Sequence, residues 1–554
     1  MSYITSTKKV SAAQSAYQYP LLIKSLLLSA QTRKSTKEII YRDQFSMNYV
    51  TFFERVHRLA NVLTNSGVKP GDTIAVLDWD SHRYLECFFA IPMIGAVLHM
   101  VNVRLSPEQI LYTMNHAEDK MVLIHNDFLP LIEPLEDDLY SVERYIQLSD
   151  NPHKNTETSL ASIGNYETLL AEAETHYDFP DFDEDSVATT FYTTGTTGDP
   201  KGVFFTHKQL VLHTLNEMAM LGCYGDSGLL RETDVYMPAT PMFHVHAWGV
   251  PYVATMLGTK QVYPGKYEPE LMVQLQQSEG VTFSHCVPTV LQLLLKSQAA
   301  ENINFNGWKL LTGGAAPTLN LVRQAVDKGI ELSTGYGMSE TCPLLTITRL
   351  SVTESSLSLL DQSEARIRTG CPVNMVNLKI IDNDGETVSH DGESVGEVVV
   401  RAPWLTQNYY RDAQKGEELW QGGWLHTGDV ASISAAGIVQ IKDRIKDVIK
   451  TGGEWVSSLD LENLISTHAN ISAVAVVGVP DEQWDERPCA MVVLNNPNDN
   501  FSINTLANHL NQYVLSGQIN KWAIPSQIVI VEEIPKTSVG KIDKKLIRSQ
   551  LINI

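Results

Sequence analysis

The chain has 554 residues, a 43% hydrophobic and 19% charged composition, and a formal net charge of -22. That length exceeds the roughly 100–200 residues of one ordinary domain, so at least two substructures with large buried cores are expected and extensive disorder is excluded. The acidic balance argues against a nucleic-acid or anionic-membrane partner, because such surfaces select an excess of Lys and Arg.

In chain order, Pro20 to Ala30 (PLLIKSLLLSA) is too interrupted by Lys24 for a signal segment and predicts an amphipathic helix. Phe52, Val56, Leu59, Ala60 and Leu63 follow helical spacing, and Gly67 supplies a stop. The turn VKPGD then leads into Thr73 to Leu77, an apolar run of strand length. The same alternation recurs, including the run VATTFYTT that opens at Val187, and predicts an α/β protein with buried sheets. Two polar stretches, Ser149 to Ser159 and Asp178 to Ser186, read as surface connections.

A boundary is expected near Asp443, dividing a large part, 1–442, from a small α/β part, 443–554. The small part carries strand patterns at Ala473 to Val479 and Ala490 to Leu494, a helical stripe on Ile503, Leu506, Ala507, Leu510 and Val514, and the run Ile528 to Val531. Six scattered cysteines without CxxC spacing fit a reducing cytoplasm and offer no metal-ligand pattern. No run approaches the ~20 apolar residues of a membrane span, so a cytoplasmic protein that is not an integral membrane protein is expected.

The segment Tyr192 to Val203 reads YTTGTTGDPKGV. A strand ending in Thr and Gly offers a flexible turn dense in N–H and hydroxyl groups, suited to phosphate oxygens. It is not a Walker loop: Pro200 stands where the second Gly belongs, and Gly202 follows Lys201 in place of Ser or Thr. GMSET around Ser339 imitates a nucleophile elbow, but Thr341 occupies the final Gly position.

Read together, the motifs resemble the adenylate-forming superfamily of acyl-CoA synthetases, luciferases and peptide-synthetase adenylation domains. YTTGTTGDPKG is similar to its phosphate loop, with Thr194 for the usual Ser. MFHVHAW (Met242 to Trp248) resembles the acyl-site segment, LTGGAAP (Leu311 to Pro317) the loop between acyl and adenine pockets, and TGYGMSE (Thr334 to Glu340) the adenine and Mg²⁺ motif. GWLHTGD (Gly423 to Asp429), DRIKDVIKTGGEW (Asp443 to Trp455) and PKTSVGK (Pro535 to Lys541) resemble the ribose acid, the hinge and the terminal lysine loop.

The resemblance implies a large N-terminal domain of α/β subdomains plus a small mobile C-terminal domain, and ATP-dependent ligation of a carboxylic acid to CoA through an acyl-adenylate. Catalytic roles would fall to Lys541, Glu340 and His244. ATP would meet Thr193, Thr194, Gly195, Thr196, Thr197, Gly198, Lys201, Gly314, Thr334, Gly335, Tyr336, Ser339 and Asp429. Arg444, Lys446 and Lys450 are further nucleotide candidates. His244, Val245, Trp248, Gly313, Gly452, Gly453 and Trp455 would serve the acyl group and CoA, while Thr193 and Glu340 would hold Mg²⁺.

The stretches KTGGEWVSSLDLEN, GVPDEQWDERP and HMVNVRLSPEQILYTMNHAED look most like medium- to long-chain fatty-acyl-CoA ligases, and also like bacterial ligases acting on 3-methylthiopropionate. A homodimer is compatible with these features, and a separate carrier-protein thiol is a second acceptor to weigh against CoA. The competing class is a nucleotide- or acyl-binding regulator that kept the fold without catalysis. Intact Glu340, Asp429 and Lys541 favour the enzyme.

Overall fold

Thr73–Leu77 is buried at every position, as an apolar strand covered on both faces requires. It lies at the centre of a seven-stranded sheet. On one side of it follow Asp119–His125, Arg144–Leu148 and Ser162–Asn165; on the other follow Val97–Met100, Val187–Thr193 and Lys201–Thr206. All neighbours pair in parallel except the last two strands, which form an antiparallel hairpin with Thr193 opposite Lys201. The computed structural model describes residues 8, 10–151, 156–193, 199–223, 228–451, 454–538 and 540–551.

Helix Tyr49–Asn65 shows how local chemistry sets an element. The Asn48 side chain accepts a bond from Thr51 N at 3.0 Å, capping the start, and Phe52, Val56, Leu59, Ala60 and Leu63 are buried along one face. The helix ends at Asn65, and Gly67 turns the chain at φ +94°. Pro20 to Ala30 departs from the amphipathic helix its pattern predicts: a 3₁₀ turn, Ile23–Leu27, leads into the short helix Leu28–Arg33. Ile23, Leu26 and Leu27 are buried in the large core, so tertiary contacts hold this segment without a regular helix.

A second sheet of nine strands has parallel strands at its middle, in the order Glu331–Gly337, Lys309–Thr312, Phe283–Cys286, Val235–Ala239 and Lys260–Tyr263. A five-stranded sheet holds Trp424–Ile433 and Val439–Arg444. The chain then enters the C-terminal sheet. There the long antiparallel pair Ile471–Asp481 and Asp485–Leu494 receives Gln527–Ile530 as a parallel neighbour.

Alternation along this pair divides its side chains between two small cores. Val474 and Val476 join Leu506 and Leu510 of helix Ile503–Leu515, whereas Ala475 and Val477 join Ile547 and Leu551 of helix Lys544–Leu551. The fold is α/β, with a large N-terminal part and a small C-terminal part having its own cores. Among the described residues, no helix is long and apolar enough to cross a membrane.

Candidate active site

The loops after the parallel strands of the nine-stranded sheet converge at the strands' C-terminal ends, where open α/β sheets place their ligands. Gly313 and Gly314 follow Lys309–Thr312, Glu340 follows Glu331–Gly337, and His244 to Trp248 follow Val235–Ala239. Lys541 enters the same place from the C-terminal part. A Cβ on Gly314 would stand 3.3 Å from Lys541 Cε and 3.8 Å from its Nζ, so the lysine stem runs directly over this glycine.

The ribose and metal candidates are each held by a tyrosine. Tyr336 donates its hydroxyl to Asp429 Oδ2 at 2.7 Å, and Arg444 Nε lies 3.4 Å from Asp429 Oδ1. Burial raises the Asp429 pKa against the opposing pull of Arg444 and the Tyr336 bond. Tyr409 donates to Glu340 Oε1 at 2.7 Å, and the Glu340 carbonyl accepts from Thr406 N at 3.0 Å. The Tyr409 ring also carries Lys201, whose Nζ is 4.7 Å from the ring centroid. One aromatic side chain thus ties the carboxylate to the base of the phosphate loop.

The antiparallel strands Val187–Thr193 and Lys201–Thr206 flank that loop in the chain. Thr194, Gly195, Thr196, Thr197 and Gly198 lie outside the described residues, as do Gly452 and Gly453. Burial and Arg444 lower the Lys541 pKa to about 8, with Asp429 and Glu340 opposing them. His244 is driven down to about 3 by burial, with Lys541 and Arg104 adding to the effect, so its imidazole is neutral at physiological pH. Lys541 and Arg444 thus face the carboxylates of Asp429 and Glu340, and the lysine loses its charge as pH rises through about 8.

Of the acyl candidates, Val245 and Trp248 belong to one strained wall. Val245, His246, Ala247 and Trp248 have φ of 47°, 56°, 46° and 60°, a left-handed turn that continues into Gly249 at 84°. Such a conformation costs on the order of 1–2 kcal/mol per non-glycine residue, and buried contacts hold it in place. His246 Nε2 and Thr189 Oγ1 are hydrogen-bonded at 2.7 Å, and Trp248 packs on His285 with ring centroids 5.1 Å apart. A Cβ on Gly313 would lie 3.3 Å from Trp248 Cη2 and 2.8 Å from the Gly335 carbonyl, so glycine alone lets the indole sit against this loop.

The remaining expected residues differ in setting. The Thr334 hydroxyl is spent on the Arg366 carbonyl at 2.8 Å. Ser339 opens the short turn Ser339–Thr341, which presents Glu340. Lys446 is exposed but within electrostatic reach of Asp429. Lys450 is exposed on the strand Ile449–Thr451, and Trp455 is 49% exposed on the adjoining strand rather than buried like Trp248. Asp443 is buried, and its Oδ2 accepts from the backbone and hydroxyl of Ser458 at 2.7 and 2.6 Å.

Motif reading missed Tyr409, and it missed Asn102, Arg104 and Thr289, which touch the lysine loop. Tyr409 belongs to the undistinguished string NYYRD, and no spacing in it points to Glu340. Asn102 and Arg104 lie within HMVNVRLSPEQ, a stretch that signals the substrate branch but no contact.

A cleft of this build, reached by a lysine from a second unit, defines an adenylate-forming enzyme. The chain belongs to the AMP-binding enzyme family, which matches residues 28–410, with the AMP-binding enzyme C-terminal domain matching 460–541. It is an AMP-forming acid–thiol ligase that joins a carboxylic acid to CoA with ATP as co-substrate. It is 38% identical to a long-chain-fatty-acid–CoA ligase of Thermus thermophilus, covering 93% of either chain. It is 35% identical to a 3-methylmercaptopropionyl-CoA ligase of Ruegeria pomeroyi, over 98% of this chain and 99% of that one. The fold is shared with the anthranilate CoA ligase AuaEII in complex with anthranoyl-AMP, at TM-score 0.84 and 21% identity, covering 96% of this chain and 98% of the other.

Proposed function

We propose that the acid is a medium- to long-chain fatty acid and that Lys541 brings its carboxylate and the α-phosphate of ATP together. The observation that carries the mechanism is the convergence of Lys541 with Asp429 and Glu340 over Gly314. A carboxylate oxygen attacks the α-phosphorus; the new P–O bond forms as the bond to the β-phosphate breaks, and pyrophosphate leaves with the electron pair. Charge grows on both phosphoryl groups, so positioned cations and N–H groups supply most of the stabilisation. The neutral His244 borders the acid without adding charge, and Asp429 accepts from the ribose hydroxyls.

Thr193 and Glu340 suit Mg²⁺: Tyr409 occupies one Glu340 oxygen, leaving a carboxylate oxygen and a threonine hydroxyl as hard ligands. Among the described residues no group of three or more His, Cys, Asp or Glu could hold a metal. When bound, Mg²⁺ would neutralise phosphate charge. In the second step the CoA sulfur, giving up its proton, attacks the acyl carbonyl; the C–S bond forms, the C–O bond to AMP breaks, and AMP departs with the electron pair. The small part, 443–554, would turn about Asp443, withdrawing Lys541 and bringing Gly452, Gly453 and Trp455 to the acyl side.

The 38% identity to a long-chain ligase and the aromatic wall of Trp248 support the fatty-acid reading. A short thioether acid is the second reading, supported by the full-length match to the 3-methylmercaptopropionyl-CoA ligase and by the closed stance of Trp248 against Gly313. Purified protein with ATP, Mg²⁺, CoA and acids from C2 to C16 plus 3-methylthiopropionate separates them by AMP and thioester formation. A kcat/KM maximum at C8 or longer supports the first reading. A maximum at 3-methylthiopropionate or butyrate overturns it.

A further inference from the structure

The lysine loop does not rest on the cleft through Lys541 alone. Asn102 Nδ2 donates to Ser538 Oγ at 3.2 Å, Arg104 Nη1 to the Ser538 carbonyl at 3.3 Å, and Thr289 Oγ1 to the Gly540 carbonyl at 2.7 Å. The bonds grip residues three and one before Lys541, from two separate segments of the large part. Thr537 and Lys541 bond one another across the loop: Thr537 N donates to the Lys541 carbonyl at 2.7 Å, and Lys541 N to Thr537 Oγ1 at 3.2 Å.

Each gripping group is pre-set. Asn102 is buried and its Oδ1 accepts from Arg104 N at 3.0 Å, which leaves its amide to face Ser538. Arg104 lies over the rings of Phe243, at 5.7 Å, and Tyr267, at 6.0 Å. Tyr267 bonds Asp80 Oδ2 at 2.6 Å, and Asp80 Oδ1 accepts from Met242 N at 2.8 Å, at the head of the acyl wall. Thr289 stands in the first turn of helix Pro288–Lys296. Gly540 meets it at φ +80°, where a Cβ would lie 3.1 Å from Thr289 Oγ1.

Other bonds between the two parts hold the body of the small unit and leave the loop alone. Gln292 and Lys296 bond Ser472 at 2.9 and 2.7 Å, and Asn463 Oδ1 accepts from Leu319 N at 3.1 Å.

We propose that Asn102, Arg104 and Thr289 form a latch of positioning residues that holds the lysine loop for adenylation alone, and that Arg104 links this latch to the acyl wall. The proposal rests on the reading of Lys541 as the bridge between carboxylate and α-phosphate. A latch made of a few neutral or solvent-edge hydrogen bonds is strong enough to aim a lysine and weak enough to open when the thiol must enter. Its three bonds must all break for Lys541 to withdraw.

Thr289→Val, Thr289→Ser, Asn102→Ala and Lys541→Ala in the full chain test this. Single-turnover pyrophosphate release with decanoate or 3-methylthiopropionate reads the first step, and thioester formation from supplied decanoyl- or methylthiopropionyl-adenylate and CoA reads the second. Hydrogen exchange of the Gly540 and Lys541 amides in the free protein reads the latch without any substrate. Thr289→Val and Asn102→Ala are expected to slow adenylation about tenfold and speed loop exchange about as much, the worth of one hydrogen bond. Thioester formation stays within twofold, and Thr289→Ser recovers the parent behaviour.

Unchanged loop exchange, unchanged adenylation, or equal losses in both steps would each overturn the latch. If Lys541→Ala keeps full adenylation, the reading of the lysine itself falls. If Lys541→Ala is inactive while Thr289→Val behaves as the parent, the latch alone falls.

Discussion

Glu340, Asp429 and Trp248 stand on segments continuous with the large part, whereas Lys541 reaches the same cleft from a unit with separate cores and a handful of cross-links. The first wall is over-determined. Asp429 lies within a ten-residue strand, Trp424–Ile433, and Glu340 is held by Tyr409 and by the Thr406 backbone. The second wall is conditional, since three side chains decide where its lysine points. A ligase that must admit phosphates and then a thiol at one carbonyl needs both kinds of wall: one that keeps the nucleotide registered through both steps and one that leaves.

The largest expected effect tests the conditional wall. Lys541→Ala should lower acyl-adenylate formation about 10²–10³-fold, the worth of one well-placed electrostatic group, while nucleotide affinity and far-UV dichroism stay close to the parent. Thioester formation from supplied acyl-adenylate should persist. A parallel collapse of both steps would show that the two walls cannot be separated.

The pH profile sharpens the same contrast. Because burial and Arg444 lower the Lys541 pKa to about 8, the cation is lost from the free enzyme as pH rises through that value. The kcat/KM for adenylation should therefore fall above about pH 8, and the limb in kcat should lie higher, since bound phosphates favour the charged lysine. Pyrophosphate release measured from pH 6.5 to 10 checks this, and a flat profile would place the rate-determining charge elsewhere.

A smaller effect is expected at the fixed wall. Tyr409→Phe removes one bond to Glu340 but keeps the ring under Lys201, so MgATP affinity should drop about three- to tenfold, with thioester formation from preformed adenylate unaffected. Titration of ATP at several Mg²⁺ concentrations reads it. A loss in the thioester step as large as in the first would break the distinction between the walls.

The candidate site was legible where its residues sit in contiguous motifs. A Thr- and Gly-rich run between two strands, a Gly-Gly loop after a strand and a lysine near the C-terminus each carry their chemistry in a few adjacent letters. The elements followed for the same reason: Thr73–Leu77 and the face from Phe52 to Leu63 are local patterns, and the structure has them as their periodicity predicts. The segment from Pro20 to Ala30 is helical only from Ile23, as a 3₁₀ turn before a short α-helix, and its buried face of Ile23, Leu26, Leu27 and Ala30 packs in the large core.

By itself, then, the sequence determined the family and the α/β class and marked the candidate site residues, Lys541 among them, all of which reside in local strings. Tertiary structure alone decided that Tyr409 serves both Glu340 and Lys201, and that the turn from Val245 to Trp248 is left-handed. It alone decided that Asn102 and Thr289, 436 and 251 positions from their partners, hold the lysine loop. Hydrogen bonds and packing depend on distance in space, and between residues so far apart in the chain only the folded sheets set that distance.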